Sequence, residues 1–191
     1  MKFTQPIRNK RHVSKLKDYY LNLGEIRNFV LIVISLCTAL RISDILRLRW
    51  DDVYDFTKRC VLSHITITEK KTKKTTTIAL HKDLIKALKR YSYAAKPGAF
   101  IILNKNTDEA IGRVQAYRLI KAAGEAVELQ ESISCHSLRK TFGYHAWKDG
   151  TPHVIIMELY NHSSMAITRR YLGISQDDKD AVYLGLNLTG S

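Results

Sequence analysis

From Phe29 to Leu40 the chain is apolar at every position except Ser35 and Thr38, and the run stops at Arg41. A segment of this kind must be hidden from water on all sides. A bilayer crossing takes about 20 apolar residues, so this run is too short to be one. It predicts instead a helix over residues 25–40, buried at the centre of a globular domain, with the other elements packed around it. Residues 9–22 carry Val13, Leu16, Tyr19 and Tyr20 near one face of a basic helix that Gly24 ends. Ser43 is placed to cap a further helix running through Trp50. The stretches Val61 to Thr68 and Thr75 to Leu80 are rich in Ile and Thr, which suits strands. The lysine-dense Glu69-Lys70-Lys71-Thr72-Lys73-Lys74 between them makes a β-hairpin with a cationic tip.

The remaining pattern is mostly helical. Residues 82–95 read as helix, Ala99 to Leu103 as a short extended piece, and 112–127 as a helix with Val114, Tyr117, Ile120 and Ala123 at helical spacing. Ser137 to Trp147 and Val154 to Tyr160 follow as helices. Ser163 caps a short one ending near Tyr171, and Asp177 to Leu186 form a last, detachable segment. The fold class is therefore mainly α with a small antiparallel β-sheet (α+β). No repeat, low-complexity tract or linker divides the chain, and Pro6, Pro97 and Pro152 stand alone. One domain is expected over 1–191, with a core at about 6–175 and a tail at 176–191.

Charge narrows the partner. There are 31 Lys and Arg against 18 Asp and Glu, a formal net charge of +13, which draws a folded surface toward a polyanion. Nucleic acid leads; an acidic membrane surface or acidic protein is the alternative. The cysteines Cys37, Cys60 and Cys135 are odd in number and form no CxxC pair, so neither a disulfide framework nor a metal site is expected. A reducing, cytoplasmic compartment is the expectation, and the first residues lack the apolar core of a signal peptide.

Two segments carry chemistry. In His136-Ser137-Leu138-Arg139, at a helix start, the His and Arg three apart share a face and can converge on one anion, which also gains from the helix N-terminus. In Asn161-His162-Ser163-Ser164-Met165-Ala166-Ile167-Thr168-Arg169-Arg170-Tyr171, a turn His precedes a helix that ends on Arg-Arg-Tyr. Taken singly, each of these residues has a plain structural reading: a solvated His–Arg pair, a turn histidine, one tyrosine of 10. Likewise Arg41 could be an ion pair with Asp44.

Taken jointly, the pattern resembles the tyrosine recombinase (phage integrase) family. Thr38 to Leu48 is similar to that family's first-arginine motif, His136 to Gly150 to its His–Arg box including Thr141-Phe142, and Asn161 to Tyr171 to its C-terminal signature. The motifs stand in family order and spacing, and the resemblance covers essentially residues 6–185. It implies the tyrosine-recombinase catalytic-domain fold and a site-specific DNA strand breakage and rejoining activity through a 3′-phosphotyrosyl intermediate. The site residues it implies are Arg41, Lys71, His136, Arg139, His162 and Tyr171.

The chemistry asks for these types. Two guanidiniums hold a phosphate's non-bridging oxygens bidentately, and they favour ionisation of a phenol whose free pKa is about 10. A hairpin lysine protonates the leaving 5′-oxygen; Lys71 leads, ahead of Lys73 and Lys70. His136 accepts the tyrosine proton or bonds the phosphate, and His162 bonds a non-bridging oxygen. The implied partner is double-stranded DNA, with a homotetramer on DNA and a monomer when free; no metal, cofactor or membrane is implied. A type IB topoisomerase and a non-catalytic DNA-binding regulator are the alternatives. The sequence departs from the pattern in two places. It starts almost at the catalytic domain, whereas many relatives carry an N-terminal core-binding domain, so it is expected to be either a fragment or one of the short recombinases, similar in size to the DNA-inversion enzymes. Asn161 also stands where Gly is common before the His, a position where Asn tolerates left-handed backbone.

Overall fold

The computed structural model describes residues 4–71, 73–130, 132–174 and 176–187, with Asp177 described by its backbone only. Thr72 of the lysine run and the final tail residues 188–191 lie outside the described residues.

Helix α1 (Lys10–Asn22) starts at Asn9, whose Oδ1 accepts from Arg11 N at 2.8 Å. It buries Leu16 and Tyr20. Helix α2 (Ile26–Cys37) is the apolar run, and Phe29 through Ile34 are all buried. Each such side chain contributes about 1.5–3 kcal/mol by leaving water. The two polar residues of the Phe29–Leu40 run, Ser35 and the C-cap Thr38, are reconciled with the core by bonding back to the helix: Ser35 Oγ donates to Leu31 O at 2.7 Å and Thr38 Oγ1 to Ile34 O at 2.8 Å. α2 packs on α1, on α4 (Lys82–Tyr91) and on α6 (Cys135–Lys148), as its all-round apolarity requires.

The helix stops earlier than the apolar run, because Ala39 takes a left-handed φ of 54° and turns the chain out of the core. The next helix, α3 (Ile42–Ile45), is one turn long with Arg41 at its N-cap, whereas the sequence predicts a longer helix capped by Ser43. Tertiary pairing cuts it short: Trp50 N donates to Ala99 O at 2.9 Å and Ile101 N to Leu48 O at 3.0 Å, so these backbone groups belong to a cross-link with the 99–101 segment. A 3₁₀ turn follows over Trp50–Asp52.

There are two small antiparallel sheets among the described residues, where the sequence predicts one. β1 (Tyr54–Asp55) pairs β2 (Cys60–Val61), and β3 (His64–Thr68) pairs β4 (Thr75–Ala79). The predicted strand at 61–68 is thus broken at Leu62 and Ser63. In the longer hairpin, Ile65 is opposite Ile78 on the core face, while the hydroxyls of Thr66 and Thr77 meet at 3.1 Å on the other. Helix α5 (Arg113–Ala126) is rotated from its expected face. Ala116, Ile120, Ala123 and Gly124 are buried, while Val114 and Tyr117 are exposed.

α6 is followed by α7 (His153–Leu159), α8 (Met165–Leu172) and α9 (Gln176–Gly185). α6, α7 and α8 pack on one another and enclose a second, small cluster of Ala39, Ile156, Tyr160 and Leu172, separate from the main core. Among the described residues, no helix is long and apolar enough to cross a membrane.

Candidate active site

At the seam between the two clusters lies an open cleft of roughly 860 Å³. It is lined by Arg41 and Arg47 from the α3 region, Lys70 and Lys71 from the β3–β4 turn, Arg113 from the start of α5, His136 from α6, and His162 and Tyr171 around α8. Five of the six residues singled out in the sequence therefore meet in one place. Lys73, the second-ranked hairpin lysine, is not among the lining residues, and its φ of 58° closes the turn.

The sixth residue, Arg139, lies beneath the cleft. Only 1% of it is exposed, although it stands three residues after His136 on the same helix. The helix start is fixed by Ser134: its Oγ accepts from His136 N, and its N–H donates to Ser137 Oγ at 3.1 Å. From there the Arg139 guanidinium reaches two carbonyls far apart in sequence. Nη1 donates to Ala39 O and Nη2 to Tyr160 O at 2.9 Å, while Nε is buried with no hydrogen-bond partner. Burial first, then the nearby Arg41, works against its charge; Tyr171, Tyr160 and Glu69 favour it.

Arg41 is presented by the Ala39 turn and is partly accessible, with 16% of its side chain exposed. Its acidic partner is Glu69, not the expected Asp44. Asp44 instead accepts Lys70 N on Oδ1 at 2.8 Å, because it faces the hairpin rather than the arginine, and its Oδ2 is buried without a partner.

Tyr171 sits in the last turn of α8, which ends at Gly173 with φ 62°. Arg8 Nη2 donates to Gly173 O at 2.6 Å, so the N-terminal strap braces the end of this helix. The Tyr171 ring is edge-on to His162 at 4.7 Å between centroids, 5.2 Å from Tyr160 and 6.2 Å from His136. Lys140 Nζ and the Arg139 guanidinium lie 5.5 and 5.9 Å from its centroid. His162 also stacks on Tyr160, and its Nδ1 is 3.0 Å from Thr168 Oγ1. Burial, followed by Arg139 and Arg41, pushes the His162 pKa down to about 4. His136 is held below its usual value by burial and then by Arg139, Lys140, Arg41 and Lys71. Asn161 adopts φ 51°, the left-handed backbone expected of it before the His.

Tyr160 is the part of the site that sequence reasoning undervalues. It is fully buried, its hydroxyl donates to Arg139 O at 2.6 Å, and its carbonyl accepts from Arg139. Burial raises its pKa, and its hydroxyl is committed to the Arg139 carbonyl. A Cβ at Gly143 would run into the Tyr160 hydroxyl, a contact that nothing local in the sequence announces. Arg47 and Arg113 were also unassigned; only their position in the cleft distinguishes them from other surface cations. Among the described residues, no group of three His, Cys, Asp or Glu side chains is arranged to hold a metal ion.

Comparison with known proteins gives the family and the fold. Residues 9–177 match the model of the phage integrase family. The chain is 37% identical over 183 residues to the probable integrase/recombinase YoeC of Bacillus subtilis, covering 96% of this chain and 97% of that one. The fold is similar to the crystal structure of XerA recombinase, with a TM-score of 0.78 at 17% identity, covering 97% of this chain and 65% of that one. It is similar too to the Tn1549 transposon integrase in complex with a circular intermediate DNA, with a TM-score of 0.68 at 22% identity, covering 97% and 67%. The chain thus spans about two thirds of those solved chains. With the family model and the Bacillus relative both matching across most of its length, the protein belongs to the phage integrase family and is an enzyme of the tyrosine-recombinase type.

Proposed function

We propose that this chain cleaves and rejoins double-stranded DNA at specific sites through a 3′-phosphotyrosyl intermediate on Tyr171. The observation that carries the reading is the Tyr171 phenol ringed by His162, His136, Lys140 and Arg139 in a cleft walled by Arg41, Arg47, Arg113 and Lys71. In the reaction the Tyr171 oxygen attacks the scissile phosphorus. A tyrosyl–phosphorus bond forms, the bond to the 5′-oxygen breaks, and that oxygen leaves with the electron pair. Lys71 Nζ protonates it, and rejoining reverses the step.

Each neighbour has a part that its surroundings support. His136, with its pKa held low, is neutral at neutral pH and able to take the tyrosine proton. His162, its pKa pushed down to about 4, is neutral as well; in the tautomer in which Thr168 donates to Nδ1, its Nε2–H donates to a non-bridging oxygen. Arg41 and Arg139 supply the positive charge on which the pentavalent phosphorus depends. The exposed Val182, Tyr183 and Leu184 of α9, with Leu186 just beyond it, support assembly of several protomers on DNA, a homotetramer being the arrangement proposed.

The test is a nicked suicide duplex that traps the covalent species. Wild-type protein forms a protein–DNA adduct that survives denaturation, and Tyr171→Phe forms none while binding DNA as before. An adduct of equal yield from the Phe variant would remove Tyr171 from the role.

A further inference from the structure

The chemistry above gives no part to Glu69, a buried carboxylate beside Arg41. Glu69 follows the last residue of β3, and only 2% of it is exposed, in a protein of net charge +13. Its backbone closes the lysine turn: Glu69 N donates to Lys74 O and Lys73 N donates to Glu69 O, each at 3.0 Å. Its side chain turns away from the hairpin and pairs with Arg41, its Oε2 lying 2.5 Å from Nη1. One residue later, Lys70 N donates to Asp44 Oδ1 at 2.8 Å. Two carboxylates thus cross the same gap in opposite directions. One runs from the hairpin to the arginine, the other from the arginine's helix to the hairpin.

Stability alone does not account for the pair. Removing two charges from water costs several kcal/mol per ion, and such pairs are often replaceable by apolar residues without loss. Geometry does account for it. A guanidinium is a planar fork with five donors. A carboxylate fixed on Nη1, with Nη2 donating to Tyr160 O at 3.4 Å, sets the plane of that fork at the edge of the cleft. The same carboxylate fixes the base of the loop that carries Lys71.

We propose that Glu69 is a positioning residue that locks Arg41 and the Lys71 loop into one unit, so that both reach the scissile phosphate in a set relation. This rests on the reading of Arg41 and Lys71 given above. It opposes the simple electrostatic expectation, in which removing a negative charge beside a phosphate site helps DNA binding and cleavage together.

The experiment compares full-length wild type, Glu69→Gln, Arg41→Ala and Lys71→Ala in single-turnover cleavage. The probe is a nicked duplex selected by covalent capture on wild-type protein from a pool of random-sequence duplexes. A second version carries sulfur at the 5′-bridging position. A thiol with a pKa near 8.5 leaves without a proton donor, so this substrate bypasses the lysine. Glu69→Gln is expected to bind the duplex at least as tightly as wild type and to cleave the ordinary phosphate about 10- to 100-fold more slowly, the range a sub-ångström misplacement produces. With the sulfur leaving group the loss should shrink by at least about fivefold, because the lysine's share no longer counts.

Cleavage by Glu69→Gln at the wild-type rate overturns the proposal. So does an equal loss on both substrates, which is what a misfolded variant or a disturbed Arg41 alone would give. Wild-type cleavage by Arg41→Ala would instead overturn the reading of the site itself.

Discussion

Arg139→Lys separates the two jobs that the structure gives one side chain. The guanidinium bridges Ala39 O and Tyr160 O and lies 4.7 Å from the Tyr160 ring centroid, all of it buried. A lysine keeps the charge but places one ammonium where two separated donors stood, so at least one buried carbonyl loses a charged hydrogen bond worth about 1.5–3 kcal/mol. Adding the reduced contact with the Tyr160 face, the fold should lose roughly 2–4 kcal/mol. For a domain of this size that lowers the melting midpoint by about 4–16 °C. Cleavage should fall on the order of 100-fold or more, as for other preorganised donors at a developing charge. The assay is single-turnover adduct formation, run well below the variant's midpoint, with DNA affinity measured in parallel. A midpoint within about 2 °C of wild type would refute the bridging role, since even one lost charged hydrogen bond exceeds that shift. Equal losses in binding and in cleavage would leave Arg139 with its structural role alone.

The depressed His162 pKa has a pH consequence. The unfolded histidine, near 6.5, takes its proton before the folded one, near 4, so stability is fully present above about pH 6.5 and is lost as pH falls toward 4. Denaturant titrations across that window should show the slope, and His162→Gln should flatten it; an unchanged slope would place the dependence elsewhere. Gly143→Ala forces the buried Tyr160 ring to move and should cost about 1–3 kcal/mol together with a loss of cleavage; a wild-type melting curve would contradict that packing. Deleting residues 176–191 removes the exposed apolar face of α9, and with it the 2.7 Å ion pair from Lys148 to Asp178. Gel shifts should then lose the higher-order complexes while the first shifted band persists, and a full ladder would refute the assembly role.

The parts of this protein legible in its sequence are those that depend on near neighbours along the chain. The periodicity of α1, the apolar α2, the Ile- and Thr-rich hairpin and the spacing from His162 to Tyr171 are local patterns, and each element formed close to where it was expected. Family resemblance then ordered the motifs, and five of the six candidate residues share one cleft.

What tertiary structure decided is where groups distant in sequence meet. The short α3 follows from backbone bonds to residues 99 and 101, and no property of Leu48 or Trp50 announces those partners. Val114 and Tyr117 have helical spacing, yet which face of α5 turns inward is set by the neighbouring surface, which takes the smaller Ala116 and Gly124. Pairing of Arg41 with Glu69 rather than nearby Asp44, and the burial of Arg139 between Ala39 and Tyr160, are likewise choices among many possible partners. A charge or a carbonyl carries no local pattern that selects its mate. Only the close packing of α6, α7 and α8 against the α2–α3 turn brings one pair within hydrogen-bond reach and keeps the others apart.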